Sequence, residues 1–286
     1  MLSLAPLRQA LSFHYDDHPM GDSTYASHGI WIKYLHDYFL RVRHIGELDR
    51  CLQVARRENV ILISNHALTI EALIIGYLFL VRGAGRVGTM VFREAFKLPL
   101  IREFFRSCQC VPISVEAGAD TLMDRHILIF PEGMDFLAGL ANPDRTAPYH
   151  TGFLHIAKEY LRRTGRRQVT VVPVAHAGIE KMLKFWIIKN EWIMSHLIRP
   201  LAKYPFWVIP KTPFFLPSKV VVHWGKPVRI HRNDLRLSRK FREKAGEFRE
   251  TVLQLRKLAY LERERATMGA QLRRHVLDHH DFNLED

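Results

Sequence analysis

Residues 59–64, NVILIS, constrain the fold more than any other stretch of the chain. Val60, Ile61, Leu62 and Ile63 leave no polar position on either side, so a strand built from them must be covered on both faces. The same kind of run recurs. RVGTMVF (86–92), CVPISV (110–115), HILIF (126–130), QVTVVPVA (168–175) and KVVVHWG (219–225) read as further strands. Segments with helical periodicity lie between them. One runs from about Leu68 to Val81 and stops before RGAG; REAFKLPLIREFFRS (93–107) is broken near Pro99; TGFLHIAKEYLRRTG (151–165) has an apolar face and a glycine stop. Strands alternating with helices predict an α/β fold with a mixed, mainly parallel sheet flanked by helices.

Three units are expected: an amphipathic N-terminal segment over 1–45, the α/β domain over 46–232 and a charged, periodic helical tail over 233–286. HGIWIKYLHDYFLRVR (28–43) reads as an amphipathic helix, suited either to a membrane interface or to a core. The Trp-, Phe- and Lys-rich stretch 178–217 reads as an insertion that faces a membrane or an acyl chain, with core packing as the rival. No apolar run is long enough for a transmembrane helix, and the first residues lack the pattern of a signal peptide.

The net charge of +13 calls for an anionic partner: an acidic membrane surface, an acidic carrier or nucleic acid. The cations are scattered among aromatic and aliphatic clusters, which argues against nucleic acid. Three cysteines give no disulfide framework and suit a reducing compartment; Cys108 and Cys110 lack the second pair a zinc site needs. His275 and His279 stand four apart, but a solvated tail explains them better than a metal site.

The residues with the clearest chemical promise are His66 and Glu71, in ISNHALTIEA (63–72). On one regular helix, residues five apart lie about 140° from each other. The two side chains meet only if His66 precedes the helix and Glu71 sits in its first turns. Glu71 then fixes one imidazole nitrogen, and the other can take a proton from an alcohol or amine. The spacing alone also fits a packed histidine beside an acid that opens a helix.

Wider context adds to this reading. NHALTIEA (65–72), FREAFKLPLIREFFR (92–106), FPEG (130–133), YHTGFLHIA (149–157), VVPVAHAG (171–178) and VVVHWGKPV (220–228) occur in an order and spacing that resemble the glycerolipid acyltransferase superfamily, which includes the 1-acylglycerol-3-phosphate acyltransferases. The resemblance covers about residues 30–230. It implies that fold, with His66 as general base oriented by Glu71, and an acyl thioester of coenzyme A or acyl carrier protein as donor. It implies a lipid acceptor and neither cofactor nor metal. Glu132 and Gly133 match the retained part of an acceptor-binding block, and Arg93 matches the segment before it.

The sequence departs from the family pattern at three places. Glu71 replaces an aspartate. Asp135 follows FPEG where the family has arginine, and Val115 falls at a second arginine position. Two guanidinium groups of the expected phosphate clamp are therefore missing. Arg125, His126, Arg145 and His150 are candidate substitutes, and Arg125 joins Glu132, Gly133 and Arg93 as an expected substrate contact. The function that follows is acyl transfer to a hydroxyl or amine of a lipid other than lysophosphatidate. It would take place on the inner face of a membrane, bound from the cytoplasm. A noncatalytic lipid-binding member of the same fold is the alternative.

Overall fold

The structure is a computed structural model, described over residues 32–67, 70–93, 96, 102, 105–106, 108–133, 147–182, 185–188, 207–210 and 216–280. The strands are β1 (Arg43–Gly46), β2 (Val60–Ser64), β3 (Val87–Val91), β4 (Cys110–Pro112), β5 (His126–Ile129), β6 (Gln168–Ala177), β7 (Phe185–Ile188), β8 (Trp207–Pro210), β9 (Val221–Trp224) and β10 (Val228–His231). The α-helices are α1 (Leu48–Ala55), α2 (Ile70–Val81), α3 (Val115–Asp124), α4 (Gly152–Thr164) and α5 (Phe241–His280). The main sheet runs β1-β9-β6-β2-β5-β3-β4, and β10 also pairs with β6. From β6 to β4 every neighbouring pair is parallel, while β9 and β10 run antiparallel to β6. The mixed, mainly parallel sheet flanked by helices is the fold class expected from the sequence.

The alternation along β2 explains the layering. Ile61 and Ile63 enter a core with α3, α4 and α5, and Val60 and Leu62 enter one with α1 and α2. Both cores are continuous with β5 and β6, whose side chains divide in the same way. Helix α2 is buried on nearly every side, as its uniformly apolar sequence requires. It stops because Gly83 takes a positive φ of 61° and allows the Ala84 N–H to reach the Phe79 carbonyl, while the Gly83 N–H reaches Leu80.

β6 lies in the middle of the sheet yet contains Pro173. Its carbonyl accepts from the Gly225 N–H at 2.9 Å, so its missing N–H faces the β9–β10 edge. There Trp224 pairs with Val174 and Val228 with Val171, which leaves one extra residue on the β9–β10 side. The bulge tolerates the absent donor.

Several expectations need correcting. The helix read over 28–43 ends at Phe39, after a π-helical turn. Arg41 has a φ of 44°, and Arg43 opens β1, which must be extended to pair with β9. The strand read over 110–115 stops at Pro112. Ser114 then caps α3 by accepting from the Ala117 N–H at 2.9 Å. β1 and β10 were not foreseen. Most of the helix read over 93–107 lies outside the described residues, as does most of the 178–217 stretch apart from the β7–β8 pair. The side chains of His275 and His279 lie outside them as well.

The tail is one long helix preceded by short 3-10 turns. Phe241, Ala245, Phe248, Val252 and Leu255 form its buried stripe against α4 and the sheet, and the Phe248 ring meets Phe153 edge-on at 5.5 Å. Phe248→Ala is expected to cost about 3–5 kcal/mol, measured by urea denaturation. A loss under about 1 kcal/mol would show that α5 is not integral to the core.

Candidate active site

Parallel sheets gather loops at the carboxyl ends of their strands, and the candidate site forms there. β2 delivers Asn65 and His66. β5, its neighbour through the Ile63–Ile129 register, delivers Phe130, Pro131, Glu132 and Gly133. β6, on the other side of β2, delivers His176.

Asn65 continues the β2–β6 pairing with its side chain. Its Oδ1 accepts from the His176 N–H at 2.9 Å, and its Nδ2 donates to the His176 carbonyl at 3.2 Å. His66 therefore leaves the strand in a fixed direction. Glu71 sits in the first turn of α2, where a carboxylate also suits the helix dipole. The His66 Nδ1 lies 2.5 Å from Glu71 Oε1, and the Ala67 N–H donates to the same oxygen at 2.7 Å. This is the pairing the loop-then-helix reading expects.

Glu71 is 1% exposed. Burial pushes a carboxyl up, but the His66 charge and hydrogen bond, His176 and the Ala67 N–H outweigh it and hold Glu71 at about 2. It is therefore ionised near neutrality and able to orient and stabilise an imidazolium. The Phe130 ring stacks on the His66 ring with centroids 4.4 Å apart, fixing the plane of the imidazole.

Phe130–Gly133 is a tight turn closed by the Gly133 N–H to the Phe130 carbonyl at 3.0 Å. Gly133 has a φ of 57°, which favours glycine, and a Cβ there would press on the His150 ring at 3.1 Å. The segment 147–150 lies along this turn, with the His150 N–H on the Pro131 carbonyl at 2.8 Å. Glu132 is 1% exposed and accepts from the Ala147 backbone; its Oε1 has no hydrogen-bond partner among the described residues. Burial lifts its carboxyl to about 7, against the lowering charges of Arg256 and Arg249. Glu71 adds to the rise, and the Ala147 bond opposes it. Beside it lies the buried hydroxyl of Tyr149, also without a partner.

The remaining expected residues divide. Arg93 follows β3, and its Nε donates to the Ile113 carbonyl at 2.8 Å, joining the ends of β3 and β4 on the same side of the sheet as His66. Arg125 precedes β5 and so stands at the opposite end of the sheet, bonded to Asp124 and Gln109. It does not line this site. His126 is a core residue at that far end: its Nε2 donates to Ala84 and its Nδ1 accepts from Val60. Arg145 and Asp135 lie outside the described residues. Val115 opens α3 and packs against the core. Gln109, which accepts from Arg125, takes a φ of 61°. His176 is buried beside Glu71.

Asn65, Phe130, Tyr149, Arg249 and Arg256 were not singled out from the sequence. Arg256 left a signal: it falls inside the apolar stripe of α5 and is 3% exposed. Among the described residues, no group of three or more His, Cys, Asp or Glu could hold a metal ion. Nor is any helix among them long and apolar enough to cross a membrane.

The lowered Glu71 pKa makes a stability claim. A folded value of about 2 below an ordinary 4.5 gives stabilisation that is present above pH 4.5 and lost as pH falls through 2. The wild type is therefore expected to lose more stability over that window than Glu71→Gln does, in denaturant titrations at stepped pH. Parallel losses would contradict the buried ion pair.

Comparison with known proteins finds a match over the segment that holds these residues. The acyltransferase family model matches residues 50–177, which contain His66, Glu71, the Phe130–Gly133 turn and His176. No curated protein sequence matches the chain. Among solved structures, the 1-acyl-sn-glycerophosphate (LPA) acyltransferase PlsC from Thermotoga maritima is similar. It is 18% identical, with 87% of each chain covered and a TM-score of 0.45. Over residues 50–177, the segment that holds the candidate site, the chain is similar to the acyltransferase family.

Proposed function

We propose that the protein transfers a fatty acyl chain from a thioester, carried by coenzyme A or acyl carrier protein, to a hydroxyl or amine of a lipid. The observation that carries this reading is the 2.5 Å contact between His66 and a buried, ionised Glu71. With Nδ1–H held by Glu71, Nε2 takes the acceptor proton as the oxygen or nitrogen attacks the thioester carbon. A tetrahedral oxyanion forms. Its collapse breaks the C–S bond, and the imidazolium returns the proton to the departing thiolate. Neither an acyl-enzyme nor a cofactor is needed. Glutamate in place of aspartate is compatible with this role, because its longer arm reaches Nδ1 while also accepting from Ala67.

Glu132, Gly133 and Arg93 form the acceptor side in this reading. Lysophosphatidate is not the preferred acceptor. Val115 is packed against the core where the family has an arginine, and Asp135 brings a negative charge where it has another. The buried Glu132 Oε1, without a partner among the described residues, suits a hydrogen-bond donor on the acceptor, such as a hydroxyl or an amine. The charge of +13 supports binding to an anionic membrane surface, and on this reading the enzyme is peripheral and cytoplasmic.

The test is acyl transfer from a labelled thioester into a total lipid extract. His66→Ala is expected to lower kcat by about 10²–10⁴-fold, and the labelled product to be other than phosphatidate. Undiminished transfer by the variant would remove the general base. Phosphatidate as the main product would remove the acceptor assignment.

A further inference from the structure

We propose that the C-terminal helix is part of the acceptor site, with Arg249 as the positioning residue for Glu132. The proposal rests on the reading of this cleft as an acyl-acceptor site, and it extends that site beyond the segment the family model matches. Its basis is a chain of contacts. The Arg249 Nε donates to the Ala147 carbonyl at 3.1 Å, and the Ala147 N–H donates to the Glu132 carboxylate. One residue, 5% exposed, is thus held from α5 on one side and holds the acid on the other. Two further bonds stiffen the connection: His150 to Pro131 at 2.8 Å, and Gly133 to Phe130 at 3.0 Å. Phe130 in turn stacks on His66.

Arg249 is well placed to act as an anchor. It follows Phe248, which is buried in the core, and its Nη1 is steadied by Glu250 at 2.7 Å. A guanidinium keeps its charge at every working pH and presents donors in a fixed plane, so it can bond the carbonyl and bias the acid together. Among the described residues, the groups facing Glu132 are Arg249 and Arg256 from α5, Tyr149 from the 147–150 segment and Glu71 from α2. The two guanidiniums are the cations among them. They favour the ionised carboxylate, while the Glu71 charge opposes it. Loss of Arg249 therefore moves the Glu132 titration to higher pH and frees the 147–150 segment. A helix packed only for stability would do neither.

The experiment compares wild type, Arg249→Gln and Arg249→Lys in the full chain. Acyl-transfer kinetics are read beside a carbon-13 NMR titration of labelled glutamate carboxyls, with Glu132 assigned through Glu132→Gln. Arg249→Gln is expected to raise the acceptor KM about tenfold while the thioester KM stays unchanged, and to move the Glu132 midpoint upward. Arg249→Lys, which keeps the charge, is expected to restore the midpoint more fully than the KM. If Arg249→Gln does not fold, Arg249→Lys carries the test through its acceptor KM. Folded variants with wild-type acceptor KM and an unmoved midpoint overturn the proposal. If the wild type transfers acyl groups to no lipid, the reading of the site fails, and the NMR titration still decides whether Arg249 governs Glu132.

Discussion

A carboxylate almost completely removed from water is the feature on which the site depends. Leaving Glu71 ionised and unpaired would cost several kcal/mol. The chain meets that demand with two donors on one oxygen, the His66 ring and the Ala67 N–H. Neither donor could reach it if His66 were on the helix. The irregular residues Asn65, His66 and Ala67 that follow Ser64 are thus a requirement of the ion pair. The same bond gives the histidine its direction, so the burial of one group and the orientation of the other are a single problem with a single solution.

That solution needs a rigid platform, which the sheet provides. β2 and β5 are held in parallel register on one side and β2 and β6 on the other, so the residues at their carboxyl ends emerge side by side. Asn65 locks β2 to β6 just before His66, and Phe130 covers the imidazole from β5. The Phe130–Gly133 turn is then braced by residues 147–150, and these by α5. Each layer constrains the next: strand register sets the loop, the loop sets the ring, and α5 holds Ala147 beside the turn.

The parts of this design that were legible in the sequence are those written in local pattern. The runs at 59–64, 126–130 and 168–175 read as strands from their apolar pattern, and each became one. The spacing of His66 and Glu71 was readable because helix geometry excludes the alternative placement. What stayed hidden depends on distant partners. Arg125 was near a motif in sequence, yet a strand carries its two ends to opposite sides of the sheet, and Arg125 lies at the wrong one. Arg249 was more than a hundred residues from Glu132, and only the packing of α5 brings its guanidinium to Ala147. β1 is short and was unforeseen because its stability comes from pairing with β9, not from its own residues.

The site's chemistry depends on Glu71 fixing the His66 tautomer. Nitrogen-15 NMR of the neutral His66 ring tests it directly, because protonated and unprotonated ring nitrogens resonate far apart. The expected result is a proton on Nδ1 in the wild type, with Nε2 unprotonated, and loss of that fixed tautomer in Glu71→Ala. A wild-type ring with its proton on Nε2 would contradict it, since the nitrogen assigned to take the acceptor proton would already carry one.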